Sequence, residues 1–549
     1  MNWRMLGVSV LCVALLALVL GACGGDDAGD DEGAPSDPGR AMSDGPGDGA
    51  RAAESQAEAP VGDAAAAPDD GVGAEQPEST GGLETPEPDP RPEDTTFFQN
   101  YGVNPQVNTA DDNLSTFAMD VDTASYTQAR SSLLSYNALP NPDSIRSEEF
   151  INFFDAGYEP PTDGDTFTIH LEAAPAPFGE PGSYLLRVGL QGRYIAPEDR
   201  TPALLIFVID VSGSMDQGNR LGLVKDALEI LLGELREDDR VGIVVYSSTP
   251  YVVLEPTPAS EFDTIMNAIN ALGPGGSTAL AGGLELGYRM AQEHKRAGQI
   301  TRVVVCSDGV GNVGPSGPEP IIEMISGAVD DGITLSTIGF GMGNYNDTMM
   351  EQLADNGNGN YYYIDDLREA RRVFVHNLTG TLQVIAYDAK VQVEFNPEVT
   401  SAYRLIGYEN RDIADEQFRD DTVDAGEVGA GHSITALYEI VLHDDASSGV
   451  VATAYIRYQD AESGEVVETS QDITVDDLLP DFSDTSPGFR LHAAVAELSE
   501  LLRNSYWAQG GSYQATLAFA QPLESAFPGS PDITDLLEMI RAAGRLVDQ

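Results

Sequence analysis

Apolar residues follow two different periods along this chain, and the change of period marks its parts. Between residues 202 and 380, short apolar runs without alternation, Ile206-Phe207-Val208-Ile209 and Val303-Val304-Val305 among them, take turns with longer stretches whose apolar positions recur every third or fourth residue. An unbroken β-branched run belongs to a strand buried on both faces, and the longer stripes belong to amphipathic helices. Their alternation calls for a doubly wound α/β unit, a mostly parallel sheet with helices on both faces. The pattern predicts strands over 203–209, 240–246, 251–254, 302–307, 334–339 and 361–364, with 251–254 antiparallel at the edge. It predicts helices over 221–235, 262–272, 279–296, 321–331, 348–355 and 367–379.

On both sides of this unit the period falls to two. Residues 167–173 and 184–190 before it, and 389–395, 401–406, 433–442, 450–458 and 466–475 after it, alternate apolar with polar positions between turns. That is the texture of an antiparallel β-sandwich. Because it is the same on both sides, the two sets are expected to pair into one module in which the α/β unit is inserted. Helical stripes at 123–134 and 144–154, and at 489–506, 512–520 and 532–547, predict small helical segments at either end. In 489–506 the stripe is Leu491, Val495, Leu498 and Leu502, expected to pack on the sandwich, and Asp532 is a candidate N-cap. The expected divisions are 1–23, 24–95, 96–160, 161–201, 202–380, 381–480 and 481–549.

Composition changes the picture mainly at the amino terminus. An apolar run over 5–20 is too short for a comfortable spanning helix, and Leu20-Gly21-Ala22-Cys23 resembles the lipobox of bacterial lipoproteins. The resemblance implies a signal peptide and a lipid on Cys23, hence a protein anchored to a membrane of the bacterial cell envelope, facing periplasm or cell surface. Gly24, rather than Asp, favours the outer membrane. Residues 24–95 are rich in Gly, Ala, Pro, Asp and Glu and read as a disordered acidic tether. With Cys12 in the signal and Cys23 lipidated, only Cys306 remains, within an apolar strand, so no intrachain disulfide is expected. The whole chain carries 89 acidic residues against 29 Lys and Arg, a net charge of -60. Nucleic acid is thereby a poor partner, while cations and basic proteins are favoured; salt adaptation accounts for the same charge equally well.

The candidate chemistry lies at strand ends. The run 206–209 ends in Asp210, Ser212 and Ser214, hard oxygen donors suited to magnesium, manganese or calcium. Taken alone the triplet serves equally well as a helix cap. Gly275-Gly276-Ser277-Thr278 before one predicted helix, and Asp308 after another buried strand, supply further oxygens at what successive βα units would make one rim. Together these resemble the metal-ion-dependent adhesion site (MIDAS) of von Willebrand factor type A domains, a Rossmann-like fold. Asp210, Ser212 and Ser214 match its first motif, Thr278 its threonine and Asp308 its second aspartate. Asn104-Pro105, the run Leu114 to Tyr126 and Glu148-Glu149-Phe150-Ile151-Asn152-Phe153-Phe154 resemble the amino-terminal part of the YfbK-like lipoproteins that carry this domain. The region around 408–411 and 420–432 resembles their carboxyl-terminal part.

The resemblance implies a divalent cation, Mg2+ or else Mn2+ or Ca2+, whose coordination shell a protein partner's acidic side chain completes, framed by loops at 215–219, 274–277, 310–318 and 341–347. An envelope scaffold with a structural metal is the alternative, and a hydrolase a third. Catalysis is not expected: there is no Gly-Lys-Ser/Thr phosphate loop or His-Glu-x-x-His, and the six His are scattered. Asp120, Asp122, Thr123 and Ser125 read as helix-capping residues, and the acidic stretch 420–432 as a solvated hairpin rather than a calcium loop.

Overall fold

The first strands of the chain find their partners far along it. A computed structural model describes residues 98–548 apart from 156, 163, 310–318, 342–345 and 424. Cys23, the tether and most of two expected framing loops lie outside these described residues. Strand β1 (Val107–Asn108) pairs with β12 (Thr400–Ile406), and β2 (Leu114–Ala118) with β11 (Val384–Phe395). Helices α1 (Ala124–Arg130) and α2 (Ser147–Asn152) follow. Thr123 holds the N-cap position of α1 but makes no side-chain cap. Instead Glu149, from α2, accepts the Ser125 backbone N–H at 2.8 Å. The expected local cap is thus replaced by a carboxylate that tertiary packing brings in, leaving Asp120 and Asp122 for other partners.

Next come β3 (Phe167–Pro175) and β4 (Tyr184–Gly192), an antiparallel pair. The central unit then interrupts the sandwich. It comprises β5 (Ala203–Asp210), α3 (Arg220–Glu234), β6 (Arg240–Tyr246), β7 (Tyr251–Pro258), α4 (Phe262–Asn270) and α5 (Leu280–His294). It continues with β8 (Ile300–Ser307), α6 (Glu319–Asp330), β9 (Thr334–Phe340), α7 (Asp347–Asp355), β10 (Tyr361–Ile364), α8 (Leu367–Arg371) and α9 (Leu378–Leu382). The strand order is β10-β9-β8-β5-β6-β7, parallel except for β7, which runs antiparallel at the edge. Every residue of β5 is buried. Leu205, Phe207 and Ile209 enter one core with α3, while Leu204, Ile206 and Val208 enter another with α5, which is why the run shows no alternation in sequence.

The helix expected over 367–379 is broken. After Arg371 the chain widens into a π turn over Arg372–His376, and α9 restarts after Asn377. The widened turn presents Arg372 to the amino-terminal segment, where its guanidinium lies 3.5 Å from the Phe153 ring centroid and donates to Phe153 O at 2.6 Å. Tertiary contact here overrides the helical period.

Beyond the insertion the sandwich resumes with β11, β12, β13 (Gly426–Gly429), β14 (Ser433–Leu442), β15 (Val450–Asp460) and β16 (Val466–Thr474). Its sheets run β1-β12-β14-β4-β3 and β13-β11-β15-β16, with β2 on β11. Ser433 to Ile440 pair with Gln191 to Tyr184, so β4 and β14, separated by the whole central unit, are neighbours in one sheet. In the acidic stretch Asp421 pairs with Arg457 at 2.7 Å and Gly426–Gly429 joins β11 as a strand.

The chain closes with α10 (Pro487–Leu502), α11 (Tyr513–Ala520), α12 (Leu523–Ala526) and α13 (Pro531–Val547). The stripe Leu491, Val495, Leu498 and Leu502 packs with Tyr126, Phe150 and Phe153 and with α13, not with the sandwich. It is a second row, Phe489, Ala493 and Ala496, that meets Leu185 and Leu437 of the sheet. One helix therefore has two apolar faces, of which the larger side chains made only the first conspicuous. The N-cap of α13 is Ser530, whose hydroxyl accepts the Ile533 N–H, rather than Asp532, because Pro531 takes the first helical position. No helix of the described residues is long and apolar enough to cross a membrane.

Candidate metal centre

Strand order reverses at β5, whose neighbours β6 and β8 lead away on opposite sides. A crevice opens at the carboxyl ends of strands at such a point, and Asp210, fully buried, is the last residue of β5. Its Oδ1 accepts the Ser212 backbone N–H at 2.7 Å and its Oδ2 accepts the Ser307 hydroxyl at 3.2 Å. Burial pushes the Asp210 carboxyl up to about 6; hydrogen bonds from Ser212 and Ser307 counter the rise and the Asp308 charge adds to it. A carboxylate made costly by burial is one that a bound cation would relieve.

Beyond Asp210 the chain tightens into a 3-10 turn, Gly213–Asn219, in which Gly218 has φ 57; Asn219 follows at φ 60. The Ser212 and Ser214 hydroxyls come within 2.9 Å of each other. Backbone bonds hold the second segment against this turn: Gly213 N donates to Gly276 O at 3.1 Å, and Gly275 N to Val211 O at 2.7 Å. Gly276 has φ 91, and a Cβ there would stand 2.9 Å from Ser248 Oγ, so the close approach requires glycine. Thr278, half-buried, lies between that contact and the start of α5. Asp308, fully buried, leaves the end of β8 beside Ser307, whose hydroxyl already serves Asp210.

The structure thus gathers Asp210, Ser212, Ser214 and Asp308 at one rim and seats the Thr278 loop against them. A feature that sequence reasoning missed is Arg220, the first residue of α3. Its Nη1 donates to Asp308 Oδ2 at 2.7 Å and to Ser214 O at 3.4 Å. Gly341, at φ 84, leaves room for this side chain, since a Cβ there would fall 2.3 Å from Arg220 Nε. An arginine opening a helix gives no signal in sequence beyond a surface charge. The other oxygen of Asp308, Oδ1, is buried without a hydrogen-bond partner among the described residues. An orphaned carboxylate oxygen within a set of hard donors fits a hard divalent cation, which Asp210, Ser212, Ser214, Thr278 and Asp308 would hold directly or through water. Among the described residues no group of three or more His, Cys, Asp or Glu is arranged for a metal; this centre relies on hydroxyls for the rest of its donors.

Behind the rim lies a second concentration of charge. Asn346 N donates to Gly309 O at 3.1 Å, joining the start of α7 to the residue after Asp308. From α7, Asp347 pairs with Arg146 at 2.7 Å, and Glu351 lies within ion-pair distance of both Arg146 and Arg411. Arg411 also meets Asp120, Asp122 and Asp355, while Arg146 holds Glu149. Asp122 accepts the Tyr361 N–H at 2.9 Å, and Glu148 accepts that of Tyr408 at the same distance. Burial first, and neighbouring carboxylates after it, push Asp122 well above its usual range, Glu148 up to about 7 and Glu351 up to about 8. This junction ties the amino-terminal segment, the central unit and the sandwich together.

Comparison with known proteins finds three family matches along the chain. Residues 380–545 match the family described as "Uncharacterized protein YfbK, C-terminal", 92–187 the one described as "von Willebrand factor", and 205–310 the "von Willebrand factor type A domain". The uncharacterized protein YfbK of Escherichia coli (strain K12) is 36% identical over 461 residues, covering 79% of this chain and 79% of that protein. An uncharacterized protein of Synechocystis is 27% identical over 287 residues, covering 51% of this chain and 67% of that one. A von Willebrand factor type A structure from Catenulispora acidiphila aligns over 70% of this chain and 97% of its own, with TM-score 0.42 and 14% identity.

Proposed function

The chain belongs to the YfbK family of proteins with a von Willebrand factor type A domain, and from that premise we propose that it is a lipid-anchored protein of the bacterial cell envelope that binds a protein partner through a divalent cation. The observation that carries this reading is the buried Asp308 Oδ1, without a hydrogen-bond partner among the described residues, at the rim where Asp210, Ser212 and Ser214 converge. A cation held by this set still lacks ligands out of its usual ~6 or more. An Asp or Glu of the partner completes the shell, and affinity then depends on the metal. Among the chain's own residues, Ser212 N and Ser307 fix Asp210, while Arg220 pairs with Asp308 and competes there with a cation. The rim is read as a binding centre rather than a catalytic one. With a net charge of -60, long-range attraction favours a partner that is basic overall but offers an acidic side chain at the contact. Crosslinking in cell envelopes with Mg2+ or Mn2+, against the same preparation in chelator, tests the proposal. Capture that is lost in chelator and in Asp210→Ala supports it; the same captured proteins under all conditions overturn it.

A further inference from the structure

Arg302 is a buried charge with no carboxylate within ion-pair distance among the described residues, Glu427 acting on it only from farther away. It is paired in register with Thr334 of β9, near the start of β8 and so at the end of the central sheet away from Asp308. Arg302 is 2% exposed; its Nη1 donates to Ser336 Oγ at 2.9 Å, while its Nε has no acceptor. Arg130, Arg146, Arg187, Arg200 and Arg404 are buried to a similar degree, and each pairs with a carboxylate. Arg302 has no such pair among the described residues. Burial accordingly lowers its pKa, the direction of a guanidinium short of negative charge. An uncompensated ion is among the most unfavourable things to bury, and a fold that keeps one has a use for it or an anion to match it.

Beside Arg302 lies a cavity of about 420 Å³, within the range of small-molecule sites. Its walls come from the foot of the central sheet and from β11, which contributes Tyr387. Gln299 Oε1 and Thr334 Oγ1, both on the same wall, are likewise buried without partners. Orphaned polar groups are few in native structures, and three of them belong to residues that line this one space, Arg302, Gln299 and Thr334. We propose that this cavity binds a small oxyanion, a carboxylate or phosphate group, which the Arg302 fork holds while the Thr334 hydroxyl donates to it. The fork geometry of guanidinium matches both groups. A ligand seated there touches the central unit and the sandwich at once, and so would stiffen their junction.

Thermal unfolding of the full chain, titrated with inorganic phosphate or with succinate at ionic strength held constant by NaCl, tests this directly. A saturable rise in Tm with at least one anion is expected, and the anion that acts identifies phosphate or carboxylate as the group recognised. Arg302→Met should reduce apparent affinity at least tenfold, while Asp308→Ala, at the opposite end of the sheet, should leave it unchanged. In calorimetric titrations, raising NaCl should change affinity at buried Arg302 less than it changes adventitious binding to exposed Lys or Arg, where salt screens the attraction. Should Arg302→Met not fold, Thr334→Val replaces it, with affinity expected to drop several-fold. No saturable response to either anion, or a response that survives Arg302→Met or is unaltered in Thr334→Val, overturns the proposal.

Discussion

At the rim of the central sheet, Asp210 and Asp308 stand among serine hydroxyls; at the junction behind it, Asp120, Asp122, Glu148, Glu149, Asp347, Glu351 and Asp355 crowd around Arg146 and Arg411. The junction has far more negative charge, and most of it is spent on guanidiniums and backbone N–H groups, although Glu148 Oε1 and Glu351 Oε2 are buried there without a hydrogen-bond partner among the described residues. The rim has few carboxylates, but one oxygen of Asp308 is left over and a pair of hydroxyls faces the same crevice. What sets the rim apart is therefore neither the number of acids nor an unsatisfied oxygen alone but hydroxyls placed beside two acids at a strand-order reversal, whereas the junction's acids crowd around two arginines. Buried carboxylates gathered around shared arginines hold modules together; those at a strand-order reversal stand at a crevice that can take a ligand.

The largest effect should come from undoing the closure. Arg411→Met leaves Asp120, Asp122, Glu351 and Asp355 without a shared counter-charge, and unfolding in denaturant should show a loss of about 3–5 kcal/mol. If stability stays within the error of the measurement, the junction is not what joins the modules.

A smaller effect concerns pH. Glu351 is raised from 4.5 to about 8, so its contribution is fully present below about 4.5 and is lost as pH rises through about 8. Melting temperature should therefore fall between pH 5 and 8, and Glu351→Gln should flatten that slope and raise Tm at pH 8. A variant slope parallel to the parent's would show that the fall comes from general repulsion at net charge -60 instead.

The smallest effect sharpens the account of the rim. Arg220 places positive charge on Asp308, against which a cation must bind. Arg220→Met should tighten Mn2+ binding several-fold, on the order of 1 kcal/mol for one partly screened charge. Weaker binding in calorimetry would instead make Arg220 the group that positions Asp308 for the metal.

Much of the rim was legible in sequence because two physical signals agree there. Ile206 to Ile209 admit only a strand buried on both faces, and oxygen donors follow it at a strand end, where a parallel sheet opens its crevice. Insertion into the sandwich was legible for a similar reason, since β4 and β14 carry the same one-sided pattern. The junction was not. Asp120 and Asp122 precede a helix and read as caps, while their partners Arg411 and Tyr361 lie hundreds of residues away and carry no local mark. Arg220 and Arg302 were missed because a lone arginine looks the same in sequence whether it faces water, a carboxylate or a cavity. The break at Asn377 was missed because its cause, the contact of Arg372 with Phe153, is tertiary.

Thermal unfolding of chelator-treated protein titrated with Mg2+ or Mn2+ shows whether the donors at the rim hold a divalent cation. A saturable rise in Tm is expected, absent in Asp210→Ala and in Ser212→Ala but persisting in Glu351→Gln. No rise in the parent, or an equal rise in Asp210→Ala, would contradict it.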